Sequence, residues 1–149
     1  MHLTSTAFPD GGEIPNKYAK DGKDVSPPLI WSGVPEAARS LALIVDDPDA
    51  PNGTWTHWVV VDLPPTTAGI PEGAAKLPGG RVGLNDWKHA EWNGPAPPKG
   101  RHRYVFTLYA LDRELGLARP TKHQAEAAMA GHVLAAARLT GTYEAARAA

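Results

Sequence analysis

The sequence predicts a mainly β domain with one helix near its C-terminus. Three observations carry that expectation. Gly and Pro number 15 each in 149 residues, too many for a helix bundle and suited to short strands joined by turns. Three segments, at 40–45, 57–63 and 103–111, are dominated by branched-chain and aromatic residues. A capping box, Thr121-Lys122-His123-Gln124, stands ahead of an Ala-rich run.

Residues 1–39 are rich in loops, with turns at Asp10-Gly11-Gly12 and Asp21-Gly22 and a helix-breaking Pro27-Pro28. Leu29-Ile30-Trp31 is a short strand. Ser40 to Val45 alternates Leu41, Leu43 and Val45 with Ala42 and Ile44, a strand buried on both faces. His57 to Leu63 is the second long strand, with Val59 and Val61 on the face of His57. Residues 64–100 are an irregular stretch punctuated by Pro64-Pro65 and Pro78-Gly79-Gly80, and a loop of that length is usually shaped by a site. Arg103 to Leu111 is the third strand, opened by His102. The helix is expected from Lys122 to Leu139, with Thr121 as N-cap and Gly141 just past its end. Ala125, Met129, Val133 and Ala136 form its apolar stripe. The length suits a single domain over 1–149.

Composition excludes several function classes. There are no cysteines, so no disulfide, thiolate metal site or cysteine nucleophile exists. With 15 basic and 16 acidic residues, the chain has no basic stripe for nucleic acid. No apolar run approaches the ~20 residues of a membrane span, and the N-terminus lacks the pattern of a signal peptide. A cytoplasmic protein is expected.

The chemistry is expected at strand ends. Asp47 closes one strand and His57 opens the next after residues 48–56, so a hairpin brings both to one end of the sheet. Their odd numbers place them on one face with Leu43, Val45 and Val59 if no bulge intervenes. His102, Tyr104 and Phe106 share a face of the third strand. Asp46-Asp47-Pro48-Asp49-Ala50-Pro51 is stiffened by its prolines, so Asp47 and Asp49 are held. Gly94 in Asn93-Gly94-Pro95 is placed to let backbone approach a ligand. Two histidines beside an aspartate suit capture of a small anion. The same three residues also make the ligand set of a 2-His-1-carboxylate metal site, and Asp47, His57 and His102 would equally serve a metal-assisted or acid–base hydrolase. No Gly-x-Ser-x-Gly elbow accompanies them.

Asp46-Asp47-Pro48-Asp49-Ala50-Pro51 with Trp55-Thr56-His57-Trp58, and Gly94-Pro95-Ala96-Pro97-Pro98-Lys99-Gly100 running into His102-Arg103-Tyr104, resemble the two signature regions of the phosphatidylethanolamine-binding protein family, which includes the Raf kinase inhibitor proteins. Ser26-Pro27-Pro28-Leu29-Ile30-Trp31, Gly131-His132-Val133-Leu134 and Gly141-Thr142-Tyr143 resemble its bacterial branch. The resemblance implies a β-sandwich and an anion pocket without metal or cofactor. That pocket would be formed by Asp47, Ala50, Pro51, Trp55, His57, Gly94, Pro97, Pro98, His102 and Tyr104. It would take phosphate, acetate or a phosphorylethanolamine-like group. The resemblance further implies a lipid-binding or regulatory protein rather than an enzyme, with a kinase or protease as possible target, and a homodimer. From eukaryotic relatives it implies a cis peptide bond at Gly53–Thr54.

Overall fold

A computed structural model describes residues 1–74 and 77–145. Its strands form two antiparallel sheets. β1 (His2–Thr4), β2 (Leu29–Ser32) and β5 (Gly69–Ile70) make a small sheet in the order β1-β2-β5. β3 (Ser40–Asp47), β4 (Trp55–Leu63), β6 (Arg81–Val82), β7 (Arg101–Leu111) and β8 (Val133–Glu144) make a large one in the order β6-β4-β3-β7-β8. The α-helix α1 (Lys122–Met129) precedes β8.

The two faces of β3 explain its unbroken apolar sequence. Leu41, Leu43 and Val45 join Leu3, Leu29, Trp31 and Ile70 of the small sheet in one core. Ala42 and Ile44 join Val59, Val61, Ala125 and Met129 in a second core, beneath α1. The result is a sandwich of unequal sheets with a helix on the outer face.

The C-terminal expectation needs correction. The helix stops at Met129, and residues expected to continue it to Leu139 are strand β8 instead. Thr121 caps the helix as expected, accepting the Gln124 N–H at 3.2 Å, while Gln124 Oε1 accepts the Thr121 N–H at 3.1 Å. Gly131, at φ +80°, then turns the chain. From there β8 pairs with the whole of β7, from Leu111↔Val133 to Arg101↔Glu144. Alanine's helix preference over ordinary residues is below about 0.7 kcal/mol per residue. It loses to a complete ladder that also buries Ala137, Leu139 and Tyr143. Gly141 is therefore no helix stop. It sits within β8, where Ile14 and Phe8 carbons fill the space a Cβ would need, at 2.5 and 2.9 Å. His132 and Val133 likewise lie beyond the helix.

Bulges also intervene. Val45 faces Trp58 and Asp46 faces Thr56, so His57 is an extra residue in β4. A second irregularity between Leu41 and Leu43 leaves Asp62 at φ +56°, where its carboxylate accepts the N–H groups of Leu115 and Gly116 at 2.6 and 2.9 Å.

Candidate functional site

The bulge decides where His57 points. Unbroken alternation puts it with Val59 and Val61, but those two pack under α1. The extra residue turns His57 to the sandwich side, edge-on to Tyr104 with ring centroids 5.2 Å apart. Asp47 lies on that side at the end of β3, and His102 at the start of β7. The antiparallel β3–β4 and β3–β7 pairings bring all three to one end of the sheet.

They line a cavity of about 530 Å³. Ala50, Pro51, Trp55 and Pro98 line it as well. Three other expected residues do not. Gly94 is buried against the loop before β2: its N–H donates to Asp24 Oδ1 at 2.7 Å, and a Cβ would lie 1.9 Å from the Tyr18 carbonyl oxygen. The backbone it approaches is thus Tyr18, not a ligand position. Pro97 is buried outside the lining. Tyr104 is fully buried behind His57. Its hydroxyl alone, among buried side-chain polar atoms of the described residues, has no hydrogen-bond partner. Burial and then the nearby Asp47 charge push that phenol well above the usual tyrosine range.

Both imidazoles are anchored through Nδ1. His102 Nδ1 meets Asp47 Oδ2 at 2.6 Å, and both side chains are buried. Asp47 Oδ1 accepts the Asp49 N–H at 2.8 Å, which fixes the turn that follows. His57 Nδ1 donates to the Asn93 carbonyl at 2.6 Å. Burial holds His57 below the usual histidine pKa, partly offset by the Asn93 carbonyl and the Asp47 charge. A neutral His57 with its proton on Nδ1 leaves Nε2 as an acceptor. Neither Nε2 has a hydrogen-bond partner among the described residues, and both imidazoles line the cavity.

Asp49 plays a supporting part. Arg103 reaches it with Nε at 3.0 Å and Nη2 at 2.8 Å, and the Arg103 N–H adds a third bond at 2.9 Å. These bonds hold the Asp49 carboxyl down at about 2. The β3–β4 connection is thereby clamped to β7. The Gly53–Thr54 peptide is trans, like every described peptide bond, and Gly53 turns the chain at φ +107°.

The irregular stretch supplies residues that spacing did not disclose. Asn85 is buried and organises the loop before Asn93. Its Nδ2 faces the His57 carbonyl, the Glu91 carbonyl and Asn93 Oδ1 at 3.3, 3.0 and 2.7 Å, while its Oδ1 accepts the N–H groups of Trp87 and His89. His89, given no role from sequence, bonds Asn93 Oδ1 at 3.0 Å. Asp86 Oδ2 accepts the Thr56 N–H at 2.7 Å, and Trp87 packs against His57 and Trp55. Asp86 and Trp87 line the cavity. The one sequence signal for them was the length of the irregular stretch itself.

This fold, with a cavity at one end of the large sheet, is that of a small β-sandwich. Residues 4–144 match the family model of phosphatidylethanolamine-binding protein, and the chain belongs to that family. A UPF0098 protein of Methanothermobacter thermautotrophicus is 51% identical over 148 residues, covering 96% of this chain and 98% of its own. One from Aquifex aeolicus is 44% identical over 151 residues, covering 97% of this chain and 88% of its own. The relatives thus come from archaea as well as bacteria, wider than the bacterial branch alone. The crystal structure of a phosphatidylethanolamine-binding protein homolog from Chlamydia trachomatis superposes with a TM-score of 0.92 at 44% identity, covering 97% of each chain. That of Escherichia coli YbcL, a member of the mammalian family, gives 0.90 at 31% identity, covering 97% of this chain and 98% of its own. No helix among the described residues is long and apolar enough to cross a membrane.

Proposed function

We propose that the chain captures a small oxyanion, a phosphate or phosphate-ester group, between His57 and His102. One observation carries this reading: both Nδ1 atoms are satisfied inside the protein, leaving two unpartnered Nε2 atoms in one cavity. His57 Nε2 accepts when neutral, while His102, its Nδ1 held by Asp47, donates from Nε2 only in the imidazolium form. A group that offers both a donor and an acceptor, such as a singly protonated phosphate ester, matches that pair. Asp47 and Asp86 in the lining oppose more highly charged anions.

Binding fits the geometry better than turnover. No Ser or Thr hydroxyl bonds either imidazole among the described residues, and Thr56 Oγ1 is committed to Asp46 Oδ1 at 2.8 Å. The alternative of a metal-assisted hydrolase also loses support. Asp47 Oδ2 is turned onto His102, and no group of three His, Asp or Glu side chains among the described residues converges to hold a metal ion. Calorimetry with inorganic phosphate and O-phosphorylethanolamine tests the proposal. His102→Ala should weaken binding by about tenfold, roughly 1.4 kcal/mol. Equal affinity for wild type and variant would remove the site.

A further inference from the structure

The Asn-Gly dipeptide occurs twice, at Asn52-Gly53 and Asn93-Gly94. Such a pair can cyclise, because glycine has no Cβ to shield its backbone nitrogen from the preceding side-chain amide. The fold treats the two pairs in opposite ways. Asn93 is buried, and its Oδ1 accepts from Asn85 Nδ2 and His89 Nδ1 at 2.7 and 3.0 Å. Its Nδ2 faces Glu91 Oε2 at 3.4 Å. The Gly94 nitrogen is held by Asp24 at 2.7 Å. That amide is not free to swing onto that nitrogen.

Asn52 and Gly53 are both exposed. The Asn52 side chain makes no hydrogen bond among the described residues. The Gly53 N–H is restrained by a turn bond of 3.2 Å to the Ala50 carbonyl, and the space around its missing Cβ is open to 4 Å. Both residues line the cavity that contains His57 and His102.

We propose that Asn52 is a modification site that deamidates through a succinimide and places a carboxylate at the mouth of the cavity. The Gly53 nitrogen attacks Asn52 Cγ and gives up its proton. A Cγ–N bond forms, the Cγ–Nδ2 bond breaks, and ammonia leaves with that proton. Water then opens the ring at either carbonyl. Opening at Cγ gives aspartate. Opening at the main-chain carbonyl gives isoaspartate, which adds one methylene to the backbone just before Trp55. A neutral amide thus becomes an anion in a lining that already holds Asp47 and Asp86, and it opposes an oxyanion. This consequence, but not the modification, rests on the oxyanion reading above.

Two measurements test it on the full chain. The first is peptide mapping by mass spectrometry after incubation in warm, mildly alkaline buffer. Asn52 should convert to aspartate and isoaspartate while Asn93 stays intact, and both should convert once urea unfolds the chain. An intact Asn52, or equal conversion of the two in the folded protein, would overturn the site. The second is calorimetry with inorganic phosphate on fresh wild type and Asn52→Asp. The variant should bind about fivefold more weakly at low ionic strength, the gap closing as salt screens it. Equal affinities overturn the charge consequence. Absence of phosphate binding to fresh wild type overturns the oxyanion reading and that consequence with it, while the peptide map decides the modification by itself.

Discussion

Asp47 and His102 stand 55 positions apart in the sequence and meet at 2.6 Å, both buried at one end of the large sheet. The same carboxylate fixes the imidazole with one oxygen and the turn at Asp49 with the other. Asp47→Ala removes both bonds and leaves His102 Nδ1 without a partner. The expected loss is about 2 kcal/mol, read as a lower urea midpoint at unchanged slope. Asp47→Asn, which keeps an acceptor for the Asp49 N–H, should lose less. An unchanged midpoint for the alanine variant would show that the pair contributes nothing to stability.

His57 makes stability depend on pH in a stated direction. Its folded pKa lies below 6.5, chiefly through burial, whereas the unfolded chain protonates it near that value. Between the two values the unfolded state binds more protons. The His57 contribution is therefore complete above 6.5 and is lost as pH falls through the lowered folded value. Urea midpoints measured from mildly basic to mildly acidic pH should fall more steeply for wild type than for His57→Gln. Parallel profiles would show that His57 titrates alike in both states.

The Asp49–Arg103 clamp acts at lower pH. Arg103 holds Asp49 at about 2 against an ordinary 3.8, so the stabilisation is present above 3.8 and is lost as pH falls through about 2. The Arg103 side chain is 60% exposed, so solvent screening keeps its contribution to stability small. Arg103→Ala should return the Asp49 carboxyl towards 3.8 in an NMR titration, with little change in midpoint near neutrality. An unmoved titration would deny the clamp.

Gly131 separates helix from strand. At φ +80° an L side chain is strained, so Gly131→Ala should cost about 1 kcal/mol. It also removes the break between α1 and the alanines of β8. Thermal unfolding followed by circular dichroism should show a lower midpoint for this variant than for Ala130→Gly. The reverse order would mean that the turn does not depend on a left-handed residue.

Much of the sandwich was legible because its signals are local. The alternation of Leu41, Leu43 and Val45 with Ala42 and Ile44 reports two buried faces, and the capping box at Thr121 and Gln124 marks where α1 begins. Asp47 at the end of β3 and His102 near the start of β7 were legible in the same way, whereas β4 begins at Trp55, two residues before His57. The extent of α1 was not legible. Its alanines favour helix individually, and β7 alone decides that they become its neighbour.

The long strands, the stiff Asp46–Pro51 connection and the convergence of Asp47, His57 and His102 near one end of those strands are written in the amino-acid order, because propensity, period and proline act over a few residues. Which way those residues face and what they touch follows from the packing of segments distant in the chain. The bulge at His57 arises from the register of β4 against β3, and it reverses the face that alternation implies. The Asn93 carbonyl on His57, the Asn85 hub and the packing of Gly94 on Tyr18 all join segments from irregular stretches. Such segments have no period to read, so their pairings exist only once buried polar groups must find partners in a folded chain.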